Sequence, residues 1–213
     1  MGQAGRWILV LLLALAAGFG AYRLASRGAP SPEAAASPPA ASAPASPARV
    51  IPERRPEVTL TDRHGKPRAL SEWNGKPQVI NFWATWCAPC RREIPMLNAL
   101  AKDGAWPEIE LIGIAIDFRE DVLSYLETTP IDYTVLIGEQ DGLDAARAFG
   151  VESLGLPFTA FVDSSGRIVT IHVGELHRPH ADVILSIVRA VDAGTMDLKS
   201  AQARIRAEVS KIS

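Results

Sequence analysis

Asn81-Phe82-Trp83-Ala84-Thr85-Trp86-Cys87-Ala88-Pro89-Cys90-Arg91-Arg92-Glu93-Ile94-Pro95-Met96 holds both cysteines of the 213-residue chain. An apolar, β-prone run (Val79, Ile80, Phe82, Trp83) leads straight into Cys87-Ala88-Pro89-Cys90, and Ile94, Leu97 and Leu100 follow at helical spacing. The pair therefore sits where a strand hands over to a helix. Unpaired backbone N–H groups and the positive end of the helix dipole stabilise an anion there, and a thiolate is the anion that disulfide exchange requires. Cys87, at the end of the turn, is expected to be the more exposed sulfur and the nucleophile. Cys90, one turn further in, is expected to be shielded and to resolve a mixed disulfide. Pro89 suits the start of the helix, where its missing N–H would be unpaired anyway.

Three other readings of the pair compete with redox chemistry. A zinc site needs four ligands, and the chain has no second cysteine pair. A structural bridge across two residues removes little unfolded-state entropy. Two inert core thiols leave the strand-to-helix context unexplained.

Trp86-Cys87-Ala88-Pro89-Cys90 after a Phe-Trp-Ala strand resembles thioredoxin, and more closely the membrane-anchored extracytoplasmic TlpA/ResA-like branch of that superfamily. The resemblance covers residues 56 to 193. It implies an α/β thioredoxin fold, a mixed central sheet with helices on both faces and a central helix-strand insertion, and it implies a redox-active Cys87–Cys90 disulfide. Thioredoxin carries a buried Asp where this chain has Asn81. The branch with Asn there has a Glu three residues after the second cysteine, which matches Glu93. Leu154-Gly155-Leu156-Pro157-Phe158 stands where the superfamily places a cis-proline opposite the cysteines, and Leu156 is there expected to offer backbone groups to an extended substrate. By residue type alone Pro157 is an ordinary turn proline, since only about one X–Pro bond in twenty is cis.

Glu93 by residue type alone is a helix-surface acid paired with an arginine. The resemblance makes it the acid that takes up and returns the proton of Cys90, so that Glu93→Gln should slow release of a mixed disulfide and leave stability nearly unchanged. Trp83 and Trp86 are expected to pack around the motif, with Trp86 also offering an apolar edge to a partner. Arg91 and Arg92 either favour the thiolate or are surface charges. His172, His177 and His180 lie close in sequence without an acid or thiol to complete a ligand set, and they read as surface histidines. No metal and no cofactor is expected.

Composition and charge, 47% apolar residues and a net −2, describe one globular domain with attachments and exclude the clustered basic and aromatic surface of a nucleic-acid binder. Trp7 to Tyr22 is an unbroken apolar run flanked by Arg6, Arg23 and Arg27. Its length lies between that of a signal core and a comfortable span, and the expectation is an uncleaved anchor in residues 1–27 rather than a signal peptide. Residues 28–56 carry eight of the sixteen prolines among Ala and Ser and form a linker that cannot bury a core. Absence of a nearby cysteine excludes a lipoprotein.

The expected domain spans 57–193. Its strands are Val58–Thr61, Gln78–Ala84, Ile109–Ile116, Tyr133–Ile137, Phe158–Val162 and Ile168–Val173, and its helices are Cys87–Lys102 with a kink at Pro95, Asp121–Glu127, Asp141–Phe149 with Gly150 as cap, and Pro179–Val191. Asp163-Ser164-Ser165-Gly166 is a hairpin turn, and 194–213 is a weakly helical tail. The functional expectation is an extracytoplasmic thiol-disulfide oxidoreductase that acts as a reductant. It is expected at the cytoplasmic membrane with the catalytic domain in the periplasm, fed by a membrane thiol-transfer electron donor. The resemblance implies protein disulfides as substrates, apocytochrome c among them, in cytochrome c maturation. The competing readings are an oxidase or isomerase of secreted proteins and a non-catalytic binding module on the same scaffold.

Overall fold

The computed structural model describes residues 51–151 and 155–212. The apolar run Trp7–Tyr22 and nearly all of the linker lie outside the described residues. Among those described, no helix is long and apolar enough to cross a membrane.

β3 (Gln78–Trp83) is the central strand, and all six of its residues are buried, as a strand covered on both faces requires. It pairs in parallel with β4 (Glu110–Ile116), which pairs in parallel with β5 (Thr134–Gly138). On its other side β3 pairs antiparallel with β6 (Phe158–Val162). β1 (Thr59–Asp62), β2 (Pro67–Ala69) and β7 (Ile168–Val173) complete a seven-stranded sheet in the order β2-β1-β5-β4-β3-β6-β7. Among the described residues the α-helices are α1 (Ala88–Lys102), α2 (Arg119–Thr128), α3 (Gln140–Ala148), α4 (Arg178–Asp192) and α5 (Leu198–Val209).

Alternation along the strands divides the core in two. On one face Val79, Trp83, Leu111, Ala115 and Phe161 pack with Ile94 and Leu97 of α1, Val122 of α2, Ile184 and Val188 of α4, and Ile205 of α5. On the other face Ile80, Phe82, Ile112 and Leu136 pack with Ala145 and Ala146 of α3 and with Leu70 and Trp73. Phe82 stacks on Phe158 at 4.2 Å and meets Phe149 edge-on at 5.3 Å, which closes this second layer.

The expected mixed α/β sandwich with a helix-strand insertion, α2–β5, is present, and the hairpin strands β6 and β7 run as the sequence implies. Gly150 ends α3 at φ +80°, where its N–H and that of Val151 return to the carbonyls of Arg147 and Ala146. α1 continues through Pro95 as a single helix.

Three features extend the expected layout. The chain returns after Lys66 as β2 and then makes a 3₁₀ turn over Leu70–Trp73, which buries Leu70 and Trp73. Residues 194–213, expected as a tail, contain α5, whose Ala201 and Ile205 are buried in the first core layer. Upstream of 57, Arg54 bridges Arg167 at the start of β7, so the compact unit is wider than 57–193 at both ends. Packing supplies the stability that a short helix with a narrow apolar stripe lacks alone.

Gly113 is where β4 lets two aromatics approach the sheet. A methyl group there would lie 2.9 Å from Cε2 of Tyr133 and 3.1 Å from Nε1 of Trp83. Gly113→Ala is therefore expected to destabilise the domain by about 1–3 kcal/mol through overpacking, seen as a lower urea midpoint. Gly104→Ala, with open space around the new methyl, should leave the midpoint in place.

Candidate active site

Cys87 is the N-cap of α1, extended at φ −82° and ψ 103°, and Pro89 occupies the first turn. The two cysteines form a disulfide with Cα atoms 5.3 Å apart. The Cys90 N–H donates to Cys87 Sγ at 3.3 Å, so a helix-terminal donor already points at the outer sulfur. Cys90 is fully enclosed, whereas Cys87 keeps a small exposed edge.

One turn beyond Cys90, Glu93 is buried at 1% exposure. Arg91 and Arg92 beside it face solvent, and Arg92 pairs with Glu175 at 2.6 Å. Glu93 instead accepts from Asn81 Nδ2 at 2.7 Å through Oε1 and from the Leu176 N–H at 2.7 Å through Oε2. Asn81 Nδ2 also donates to Thr159 Oγ1 at 3.0 Å. The register explains the arrangement, because Gly113, Asn81, Thr159 and His172 lie in one row across β4, β3, β6 and β7 and share a face. Burial pushes the Glu93 carboxyl up to about 7, against the pull of its hydrogen bonds from Leu176 and Asn81 and with help from the charge of Glu175. Asn81 Oδ1, Trp83 Nε1 and the Tyr133 hydroxyl are buried without a hydrogen-bond partner among the described residues. Burial, with the Glu93 charge adding to it, raises the Tyr133 phenol above its ordinary range.

Asp117, at the end of β4, holds the segment before the cysteines. Its Oδ2 accepts from the Thr85 N–H at 2.9 Å and from the Thr85 hydroxyl at 2.5 Å. Neither residue stands out in the sequence as part of the site; the available signal is an acid directly after an apolar strand. Trp83 is buried and tilted against Tyr125 at 5.7 Å, but Trp86 does not pack into the domain and is 60% exposed.

Ahead of Phe158, which pairs with Phe82 near the end of β3, the Leu156–Pro157 bond is cis, and the Gly174 N–H donates to the Pro157 carbonyl at 2.8 Å. Of the three histidines, His177 is exposed as the sequence implies, His172 is half-buried, and only His180 departs from the surface reading. His180 is buried on α4 with neither ring nitrogen paired, 5.4 Å from the ring of His172 and 6.0 Å from that of His177. Burial holds the His172 imidazole below its ordinary value. Among the described residues no group of His, Cys, Asp and Glu is arranged to hold a metal.

A cysteine pair at a helix start, a cis-proline leading into the strand beside β3 and a mixed sheet beneath define a thioredoxin-fold disulfide-exchange site. The chain belongs to the AhpC/TSA family, which residues 51–171 match. It is 30% identical over 122 residues to the thiol-disulfide oxidoreductase ResA of Geobacillus thermodenitrificans, a match that covers 57% of this chain and 68% of that protein. It is 38% identical over 125 residues to the thiol:disulfide interchange protein HelX of Rhodobacter capsulatus, covering 58% and 65%. Its fold is similar to that of a thiol:disulfide interchange protein from Chlorobium tepidum, with a TM-score of 0.51 at 24% identity, covering 75% of this chain and 97% of that one. The exposed lipoprotein thioredoxin Etrx1 of Streptococcus pneumoniae gives a TM-score of 0.53 at 24% identity, covering 63% and 98%. The chain is a thiol-disulfide oxidoreductase.

Burial of Glu93 changes what its substitution should do. Its carboxyl titrates near 4.5 when unfolded and near 7 when folded, so the folded state binds the proton more tightly between those values. Stability from this group is fully present below pH 4.5 and is lost as pH rises through about 7, a total on the order of 3 kcal/mol. Glu93→Gln removes the titration, and a flipped Asn81 amide can still pair with it. Urea unfolding from pH 5 to 8 is expected to show the parent losing stability relative to Glu93→Gln; parallel pH profiles would refute the assignment.

Proposed function

We propose that the domain reduces disulfides of extracytoplasmic proteins, with the Cys-x-x-Cys-His haem-attachment segment of apocytochrome c among its substrates. In the reduced protein the Cys87 thiolate attacks one substrate sulfur, and the other leaves as a thiolate that takes a proton. Cys90 gives its proton to the Glu93 carboxylate and attacks Cys87 Sγ, which expels the second substrate thiol and closes the Cys87–Cys90 disulfide. Two electrons pass to the substrate, and a dithiol donor must return them. Leu156, outside the ladder of β6, lends its backbone N–H and carbonyl to the substrate strand, and Trp86 gives that strand an apolar contact.

The observation that carries the reading is the buried Glu93 one turn behind Cys90. A carboxyl that titrates near 7 is matched to exchanging a proton with a thiol at neutral pH. It also disfavours further negative charge on Cys90, and Ala88-Pro89 brings no cation between the sulfurs. Both effects raise the free energy of the reduced pair, which makes it a better electron donor. The TlpA/ResA-like resemblance supports a place at the cytoplasmic membrane with the domain in the periplasm, anchored through residues 1–27 and supplied by a membrane thiol-transfer partner.

Equilibration with a thiol buffer is expected to place the Cys87–Cys90 couple nearer to the roughly −270 mV of a reductant than to the roughly −120 mV of a strong oxidant. A value at the oxidising end would overturn the direction of electron flow. Cys90→Ala should accumulate substrates as mixed disulfides on Cys87, and mass spectrometry of those adducts identifies them. Cys87→Ser should abolish both trapping and insulin reduction; residual turnover would refute the nucleophile assignment.

A further inference from the structure

Two large apolar residues next to the disulfide are turned to solvent, Trp86 at 60% exposure and Phe118 at 61%. They follow the ends of β3 and β4, which are neighbouring parallel strands, and the residues before them are joined, since Thr85 donates twice to Asp117. Phe118 belongs to neither layer of the core. Its exposure does not come from a loose segment. Asp117 on one side is tied to Thr85, and on the other side the Arg119 guanidinium donates to the carbonyls of Asp62 and Arg63 at 2.9 Å each. The ring is thus presented from a backbone anchored at both neighbours.

Phe118 also stands against local stability. It is the N-cap of α2, with its own carbonyl accepting from the Val122 N–H, and it provides no side-chain cap. Ser, Thr, Asp or Asn would satisfy an orphan helix donor at this position and would not expose a ring. A residue that costs the helix its cap and gains no burial points to a role outside the fold.

We propose that Phe118, paired with Trp86, is a specificity determinant for the protein substrate: the two rings receive a large apolar side chain that flanks the reacting cysteine. This rests on the reading of Cys87–Cys90 as a reductant of protein disulfides. A strand that pairs with Leu156 on the β6 side and brings its cysteine to Cys87 continues over β4, where Phe118 stands. β6 and β4 are two strand spacings apart, about 10 Å, so roughly three residues of extended chain cover the distance. The favoured partner is therefore an unfolded or extended polypeptide with an aromatic or large aliphatic residue within about three positions of its cysteine.

The test compares disulfide peptides that differ only in Phe or Ser two residues from the reacting cysteine, on either side, with the reduced full-length chain and with hydroxyethyl disulfide as a substrate too small to reach the rings. The parent should reduce one Phe peptide about tenfold faster in kcat/KM than its Ser counterpart, the low end of what one apolar group is worth in a pocket. Phe118→Ser should bring the two within about twofold while raising the thermal midpoint, because it restores the cap. Phe118→Trp should keep the preference. Equal rates for the two peptides in the parent, with hydroxyethyl disulfide still reduced, overturn the aromatic pair and leave the reductase standing. A tenfold preference that survives Phe118→Ser also overturns it. Failure to reduce any of the disulfides overturns both readings.

Discussion

The Glu93 carboxylate bridges three elements of the molecule, two of them consecutive in the chain and the third 83 residues on. Through Asn81 it is tied to the middle of β3, through Leu176 to the loop ahead of α4, and through its own backbone to α1 one turn beyond Cys90. The face around it is otherwise built of aliphatic and aromatic side chains, so a group without both partners would cost the full penalty of an unsatisfied buried donor or acceptor. An apolar residue of similar size would leave the Leu176 N–H unpaired and would leave Asn81 Nδ2 with Thr159 Oγ1 alone. The position of α1 over the sheet, and with it the position of the sulfurs, depends on this bridge.

The site consequently has two environments within one helical turn. Behind Cys90 lie the carboxyl, the amide of Asn81, the Thr159 hydroxyl and the unpaired Tyr133 and Trp83 groups, all enclosed. In front of Cys87 stand Trp86 and Phe118 in water, together with Val173 beyond the cis-proline. In the proposed reaction, proton handling belongs to the interior and recognition belongs to the rim. Asp117 serves the rim, since its bonds to Thr85 fix the segment that carries Trp86 and Cys87.

Much of this is legible in the sequence where the signal is local. The hairpin β6–β7 follows from two apolar runs around Asp163-Ser164-Ser165-Gly166, and the cysteine pair declares its own context. β2 is three residues long and begins with a proline, too short for any periodicity to register. α5 buries Ala201 and Ile205 fully, with Leu198 and Val209 packed partly buried beside the core, so its order comes from α4 and β7 more than from its own pattern. Glu93 sits among Arg91, Arg92 and Pro95, all exposed, and only its place three residues after Cys90 and four before Leu97 marks it as lying on the side of the helix that turns inward. Its burial is decided by Asn81 and Leu176, 12 and 83 residues away. The exposure of Phe118 is equally non-local, because an aromatic after a strand ordinarily reads as core.

The bridge between Arg54 and Arg167 fixes where the chain joins the domain. Arg167 precedes Ile168, which pairs with Val162, which in turn pairs with Gln78 at the start of β3; Cys87 follows the opposite end of that six-residue strand. The point of attachment and the disulfide are therefore separated by at least the length of β3, about 20 Å. A domain held by its upstream segment would carry its sulfurs on the pole away from the mooring. Partners as bulky as an unfolded polypeptide could dock there without competing with whatever holds the chain.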